Sequence, residues 1–194
     1  MEINLINTYF DRIFIINLKR RPDRKEQMIK KLASVGIDNY EFIEAIDGTQ
    51  EPCISAYRIR SRMGFFEPPG AFGVLYSAMK VLVWSKMKKY KRIMILEDDA
   101  IFHRNFVSIF NNKVNSIPEW VLLYFGTSMH SWRFDKIDTI MDGFVRSKGT
   151  IAGAFAIGID SSIFDELISY IPIAIQPWDI EPLKIINTKV FVCL

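Results

Sequence analysis

RIFIINLKRRPDRKEQMIKKLASVG (residues 12–36) runs from an unbroken β-branched stretch through a basic cluster into a helical pattern. The continuous apolar run RIFIINL (12–18) suits a strand covered on both faces. Pro22 stands where a first turn would begin, with Asp23 and Glu26 early in it. Met28, Ile29, Leu32 and Val35 follow at helical spacing, and Gly36 falls at the C-terminal cap. A buried strand feeding directly into a helix is the opening unit of an α/β fold, and the rest of the chain repeats the alternation.

NYEFIEAIDG (39–48) reads as a short second strand closing in an Asp-Gly turn. Residues 49–68 contain Pro52, Arg58, Arg60, Arg62 and Gly64 without a clean period, and read as a loop. EPPGAFGVLYSAMKVLVWSKMKKY (67–90) is a helix opened by prolines, with Phe72, Leu75, Met79, Leu82 and Val83 on its inner side. RIMIL (92–96) and EWVLLYFG (119–126) are buried-type strands with a helix between them near 105–113. KGTIAGAFAIGI (148–159) is a strand region of small residues, SSIFDELISYI (161–171) a capped helix and TKVFVCL (188–194) a last strand. The pattern predicts one α/β domain over 1–194, with a largely parallel sheet and helices on both faces. TKVFVCL ends without a turn signal, so continuation into a longer chain is expected.

Composition narrows the class. The chain has 194 residues, 49% of them hydrophobic and 13% aromatic, which supports a sizeable core. A net charge of +3 argues against a nucleic-acid-binding protein. Basic residues do concentrate locally, at KRRPDRK (19–25) and KMKKYKR (86–92). Cys53 and Cys193 form neither a metal pattern nor a disulfide framework. The N-terminus lacks a signal peptide's basic start, and no apolar run is long enough to span a bilayer. A cytoplasmic setting is expected, with peripheral attachment to the inner membrane face through basic surfaces. The Ile- and Lys-rich composition fits an AT-rich bacterial or viral genome.

In open α/β sheets, ligands bind beyond the carboxyl ends of strands. NLKRRPDR (17–24) leaves the first strand there, and LEDDA (96–100) leaves the third. A helix N-terminus surrounded by Arg20, Arg21 and Arg24 suits phosphate, because free N–H groups and guanidinium forks both favour anions. Glu97, Asp98 and Asp99 suit a hard divalent cation. Together they describe a site for a metal-bound diphosphate. Each also has an ordinary reading: a solvated basic helix start, and a surfacing acidic loop.

With these two motifs in view, the sequence resembles glycosyltransferase family 25, which includes lipooligosaccharide and procollagen galactosyltransferases. RIFIINLKRRPDRKEQM, FIEAIDG, PGAFGVLYSAMKVL and RIMILEDDAIF carry the resemblance, which extends from about residue 12 to the end of the chain. It implies a GT-A fold, a UDP-sugar donor and transfer of a hexose to a hydroxyl, with Mn²⁺ or Mg²⁺. By the same resemblance Asn17, Arg20, Arg21 and Arg24 would face the nucleotide. Asp47 would lie near ribose or base, against the alternative of a plain turn aspartate. Asp98 would serve both nucleotide and metal, with Asp99 and Glu97 completing the metal set. PWDIEPL (177–183) matches a segment on the acceptor side, making Asp179 the general base or a further metal ligand, with Glu181 in reserve; a helix N-cap is the alternative for Asp179. One departure is visible. Val74 and Ala78 stand where the family usually has cysteine and histidine. His103 could act behind the acidic motif, and a loop with His130, Trp132 and Arg133 could stack on a sugar; both also read as surface residues.

The expected reaction is departure of UDP from the anomeric carbon, its charge met by metal and arginines, while a carboxylate assists the attacking hydroxyl. Inversion at the anomeric centre is implied by the resemblance. The acceptor would be a glycan, a lipooligosaccharide or a protein. Two rival classes use the same residues: a metal-dependent nucleotidyltransferase or phosphohydrolase, and a non-catalytic UDP-sugar-binding domain.

Overall fold

The computed structural model describes residues 4–65, 67–127, 138–141, 143–146, 151, 153, 155–186 and 189–193, with 138–141, 181 and 183 described through their backbone alone. A single mixed sheet has the order β2-β1-β3-β7-β4-β8-β6-β5. Its strands are β1 (Arg12–Asn17), β2 (Tyr40–Glu44), β3 (Arg92–Glu97), β4 (Leu122–Tyr124), β5 (Asp138–Met141), β6 (Phe144–Arg146), β7 (Ala156–Asp160) and β8 (Val190–Cys193). β1 lies between β2 and β3, parallel to both, and β4 is parallel to β8. β7 is inserted antiparallel between β3 and β4, and β6 antiparallel between β8 and β5. The largely parallel sheet expected from the sequence is therefore interrupted by two reversed strands.

Side-chain alternation splits the core into two halves. Phe14 and Ile16 of β1, Ile93 and Ile95 of β3, and Val190 and Val192 of β8 point to one face. Ile13 and Ile15, Met94 and Leu96, and Phe191 point to the other. The first face is covered by α3 (Cys53–Arg62), α4 (Pro69–Met87) and α6 (Phe164–Tyr170). The second is covered by α1 (Ile6–Tyr9), α2 (Pro22–Ser34) and α5 (Phe106–Lys113). On that second face Gly158 of β7 lets Phe10 and Trp120 press on the sheet: a Cβ there would stand 3.2 Å from each ring.

α2 begins with Pro22 in its first turn, and Gly36 just beyond its end takes φ +64°. The arginine-containing segment read as a loop instead forms α3. Its packing rests on Cys53 and Tyr57, one turn apart, while Arg58 and Arg62 are exposed. Two inner positions facing the core gave too weak a period to register. Within α4, Phe72, Leu75 and Leu82 are buried as expected, but Val83 is 38% exposed. The β5–β6 hairpin was not foreseen either; its turn carries Gly143 at φ +84°.

Candidate functional site

β1, β2 and β3 are mutually parallel, so their carboxyl ends open on one edge, and the charged motifs meet there. A cleft of about 220 Å³ is lined by Arg20, Arg24, Asp47, Glu97, Asp98 and Asp99, with Gly70 and Val74 of α4 and Trp178 as its apolar wall. A wider hollow of about 530 Å³ shares Leu18, Arg20 and residues 45–47 with it and extends over Lys19, Gln50 and Lys80. Together they offer a trough across the ends of β1 and β2, of the size that small-molecule sites occupy.

Asp98 is the hub. Asn17 at the end of β1 donates through Nδ2 to Asp98 Oδ2 at 2.7 Å and to the Arg21 carbonyl at 3.1 Å, fixing the turn into α2. Arg24, one turn into α2, donates to Asp98 Oδ1 at 2.8 Å and reaches Asp99 Oδ2 at 2.9 Å. Both Asp98 oxygens are thus engaged within the protein, and the side chain is almost fully buried. Lys31 donates to the Ala100 carbonyl at 2.9 Å and pins the acidic turn onto α2. The two motifs hold each other in place.

Glu97 is in a different position. Burial, then the charges of Asp99, Asp179 and Asp98, push its carboxyl up to about 7. Arg24 offsets this only in part. The cleft therefore carries more negative charge than its arginines neutralise. Asp179 approaches from the far side, outside any helix-capping role: the N-cap of α7 (Glu181–Ile185) is Ile180, with no side-chain cap. Its Oδ2 accepts the Gly153 N–H at 2.7 Å, and its carbonyl accepts the hydroxyl of Tyr124 at 3.2 Å. Burial first, then the Asp179 charge, raises the Tyr124 hydroxyl, so it stays a protonated donor.

Asp47 receives Arg20 Nε at 2.8 Å on Oδ2, and the Thr49 hydroxyl and N–H on Oδ1 at 2.7 and 3.0 Å. The Thr49 hydroxyl first, then Arg20, holds its carboxyl down at about 2. It is at once a turn aspartate and part of the cleft wall. Ser77 of α4 fixes the preceding segment, accepting the Ile46 N–H at 2.8 Å while donating to the Gly73 carbonyl at 2.7 Å. Gly48 and Gly73 make that approach feasible. A Cβ on Gly48 would meet the Pro69 carbonyl oxygen at 1.7 Å, and one on Gly73 the Ile46 oxygen at 2.5 Å.

The structure thus brings Asn17, Arg20, Arg24, Asp47, Glu97, Asp98, Asp99 and Asp179 to one end of the sheet. Arg21 departs from expectation: it forms a surface pair with Asp23 at 2.6 Å and does not line the cleft. Glu181 lies at the start of α7, and only its backbone is described. His103 is exposed and accepts the Asn105 N–H; it lines a separate hollow with Cys193. His130, Trp132 and Arg133 lie outside the described residues. Ala78 is fully buried in the core, whereas Val74 reaches the cleft. Sequence reasoning missed Trp178, Ser77 and Gly48 as parts of the site, because each acts by packing or backbone anchoring rather than by charge. Among the described residues no three His, Cys, Asp or Glu side chains stand close enough to hold a metal ion alone. No helix among them is long and apolar enough to cross a membrane. Cys53 and Cys193 are unbridged.

The profile described as Glycosyltransferase family 25 (LPS biosynthesis protein) matches residues 10–67, the segment that holds β1, the basic turn, α2, β2 and Asp47. A "Glycosyltransferase 25 family member" of Drosophila melanogaster is 35% identical over 132 residues, covering 60% of this chain and 21% of that protein. Human "Procollagen galactosyltransferase 2" is 29% identical over 133 residues, again 60% of this chain and 21% of the relative. The chain therefore spans about a fifth of the length of these curated relatives. A crystal structure of a glycosyltransferase involved in glycosylation of the major capsid of PBCV-1 aligns with a TM-score of 0.42 at 10% identity, covering 82% of this chain and 64% of that one.

Proposed function

Taking the chain as a relative of glycosyltransferase family 25, we propose that it transfers a hexose from a UDP-sugar to a hydroxyl of a glycan, lipooligosaccharide or protein. Galactose is the first sugar to test, since one relative is named a galactosyltransferase. The observation that carries the reading is the uncompensated negative charge around Glu97, at the strand ends where nucleotides bind in α/β sheets. A bound cation would relieve the crowding that otherwise favours the protonated form of Glu97. A Mg²⁺-like or Mn²⁺-like ion takes one or two protein carboxylates and completes its shell with phosphate and water. That donor set fits this cleft.

The residues divide the work as follows. Asp99 and Glu97 would hold the ion; Asp98, expected among its ligands, is committed to Asn17 and Arg24 and fixes both strands' ends. The ion supplies charge stabilisation for the departing diphosphate. Arg20, 60% exposed on its side chain and paired among the described residues with Asp47, can turn toward phosphate. Arg24 sets the position of Asp99. Asp179, oriented by the Gly153 N–H, takes the proton of the acceptor hydroxyl as it attacks, in a single displacement that inverts the anomeric carbon.

Calorimetry with UDP tests the reading. Binding that requires Mn²⁺ and is lost in Asp99→Ala is the expected result. Binding unaffected by both would remove the metal–diphosphate site, and no binding under any condition would remove the donor site altogether. Turnover of UDP-sugar only when an acceptor is present separates transfer from phosphohydrolysis.

A further inference from the structure

Most surface helices of an α/β domain are apolar on the side facing the sheet and polar outside. The last two turns of α4 break that pattern. Their inner face, with Val81, Leu82 and Ser85, is buried. Their outer face carries Val83, Trp84 and Met87, exposed by 38, 37 and 70%. Helical spacing puts these three in one stripe with Lys80 and Lys88. Lys86, Lys89 and Lys91 surround the stripe, all of them exposed. Lys88 lies over the Trp84 ring at 4.8 Å.

Acidic groups nearby do not balance this patch. Asp165 of α6 pairs with Lys86. Asp11 spends one carboxylate oxygen on the N–H groups of Lys91 and Arg92, and Asp160 stands 4.0 Å from Arg92. Among the described residues, no acidic side chain forms an ion pair with Lys88, Lys89 or Lys91.

We propose that this face adsorbs to an anionic lipid surface. The chemistry fits at each point. An indole and a thioether enter the headgroup region, while lysines on flexible stems reach lipid phosphates. The exposed apolar part is three side chains on a convex helix, well short of the area a stable protein–protein interface needs. It is enough for a membrane, where charge does most of the work. The far end of the patch, at Met87, lies along α4 roughly 26 Å from Gly70 and roughly 20 Å from Val74, at about 1.5 Å per residue. Adsorbed through Trp84, Met87 and Lys88, the protein keeps the end of the cleft at Gly70 away from the bilayer, with Lys80 between the patch and the wider hollow.

Sedimentation with phosphatidylcholine vesicles, with and without phosphatidylglycerol, tests this at low and high salt. Expected is binding to the anionic vesicles only, weakened by salt. The double variant Lys88→Glu, Lys91→Glu should reduce partitioning at least 25-fold, at roughly fivefold per lysine. Trp84→Ser with Met87→Ser should lower it further, and brominated lipid should quench fluorescence in the wild type but far less in Trp84→Phe. Circular dichroism melts confirm that the variants fold. Equal binding to neutral and anionic vesicles, binding retained in the lysine variant, or no vesicle binding at all would overturn the proposal. Self-association in solution that Trp84→Ser, Met87→Ser abolishes would overturn it too, assigning the face to a second copy. None of these readouts depends on the reaction at the cleft.

Discussion

Asn17 and Asp98, separated by 81 positions in the chain, share a 2.7 Å hydrogen bond in the buried floor of the cleft. One closes β1 and the other follows β3, so the bond ties the basic turn to the acidic one. Replacing Asn17 by Ala leaves a buried carboxylate oxygen unsatisfied, and the Arg21 carbonyl keeps only the Lys25 N–H of its two donors. The expected cost is about 1–3 kcal/mol, read as a lower urea midpoint. A midpoint unchanged within error would show that Asp98 is held by Arg24 alone.

Glu97 makes stability depend on pH. Its folded pKa of about 7 lies above the ordinary glutamate value of 4.5, so the folded state binds the proton more tightly than the unfolded chain. The resulting stabilisation is complete below pH 4.5 and disappears as pH rises through 7. Glu97→Gln should therefore match the wild type in mild acid and exceed it above neutrality, by an amount on the order of 3 kcal/mol in metal-free buffer. Denaturant melts across that range measure it. A constant difference at every pH would contradict the electrostatic account.

Three glycines near one another should respond very differently to the same change. Gly73→Ala forces a Cβ against the Ile46 carbonyl, and Gly48→Ala against that of Pro69, both backbone atoms that cannot step aside. Each should cost more than about 2 kcal/mol or fail to fold. Gly70→Ala meets nothing within 4 Å and sits in the first turn of α4, so it should be neutral or stabilising by up to about 1 kcal/mol. Thermal melts of the three decide the matter.

Asp179→Asn keeps the shape of the side chain and removes its basicity. Transfer from a saturating UDP-sugar should fall by about 10²–10⁴, with UDP affinity little changed. Initial rates and calorimetry together test this. Equal losses in binding and rate would point instead to a ligand role for Asp179.

Much of this was legible beforehand because it is written in local patterns. β1 and α2 announce themselves by a continuous apolar run and a proline-to-glycine frame, and the acidic motif falls at a strand end because four apolar residues, Ile93 to Leu96, precede it. What sequence could not show is partnership. Nothing in LEDD distinguishes Asp98, whose oxygens are both used by the scaffold, from Glu97, whose charge is left over; that difference comes from Asn17 and Arg24, far away in the chain. Arg21 and Arg24 look alike in KRRPDR, yet one turn of helix sends them to Asp23 and Asp98 respectively. α3 was hidden because only Cys53 and Tyr57 among its apolar residues press inward, and β7 gave no hint of its direction because strand polarity is fixed by the connections around it.

The reversed strand β7 has a consequence for how such a site can diversify. Because it runs against β3, its leading end, not its trailing one, arrives at the cleft, bringing the Phe155 carbonyl to the Glu97 N–H. One wall is therefore drawn from the first hundred residues of the chain, and the wall with Gly153 and Asp179 from the region after 150. The two walls share a backbone hydrogen bond, from the Glu97 N–H to the Phe155 carbonyl, and the apolar cluster that holds Trp178 together with Ile16, Leu75 and Ile95. On the proposed function, polar substitutions around Gly153 and Asp179 would alter the acceptor side while leaving the ion pairs of Arg20 and Arg24 on the first wall intact.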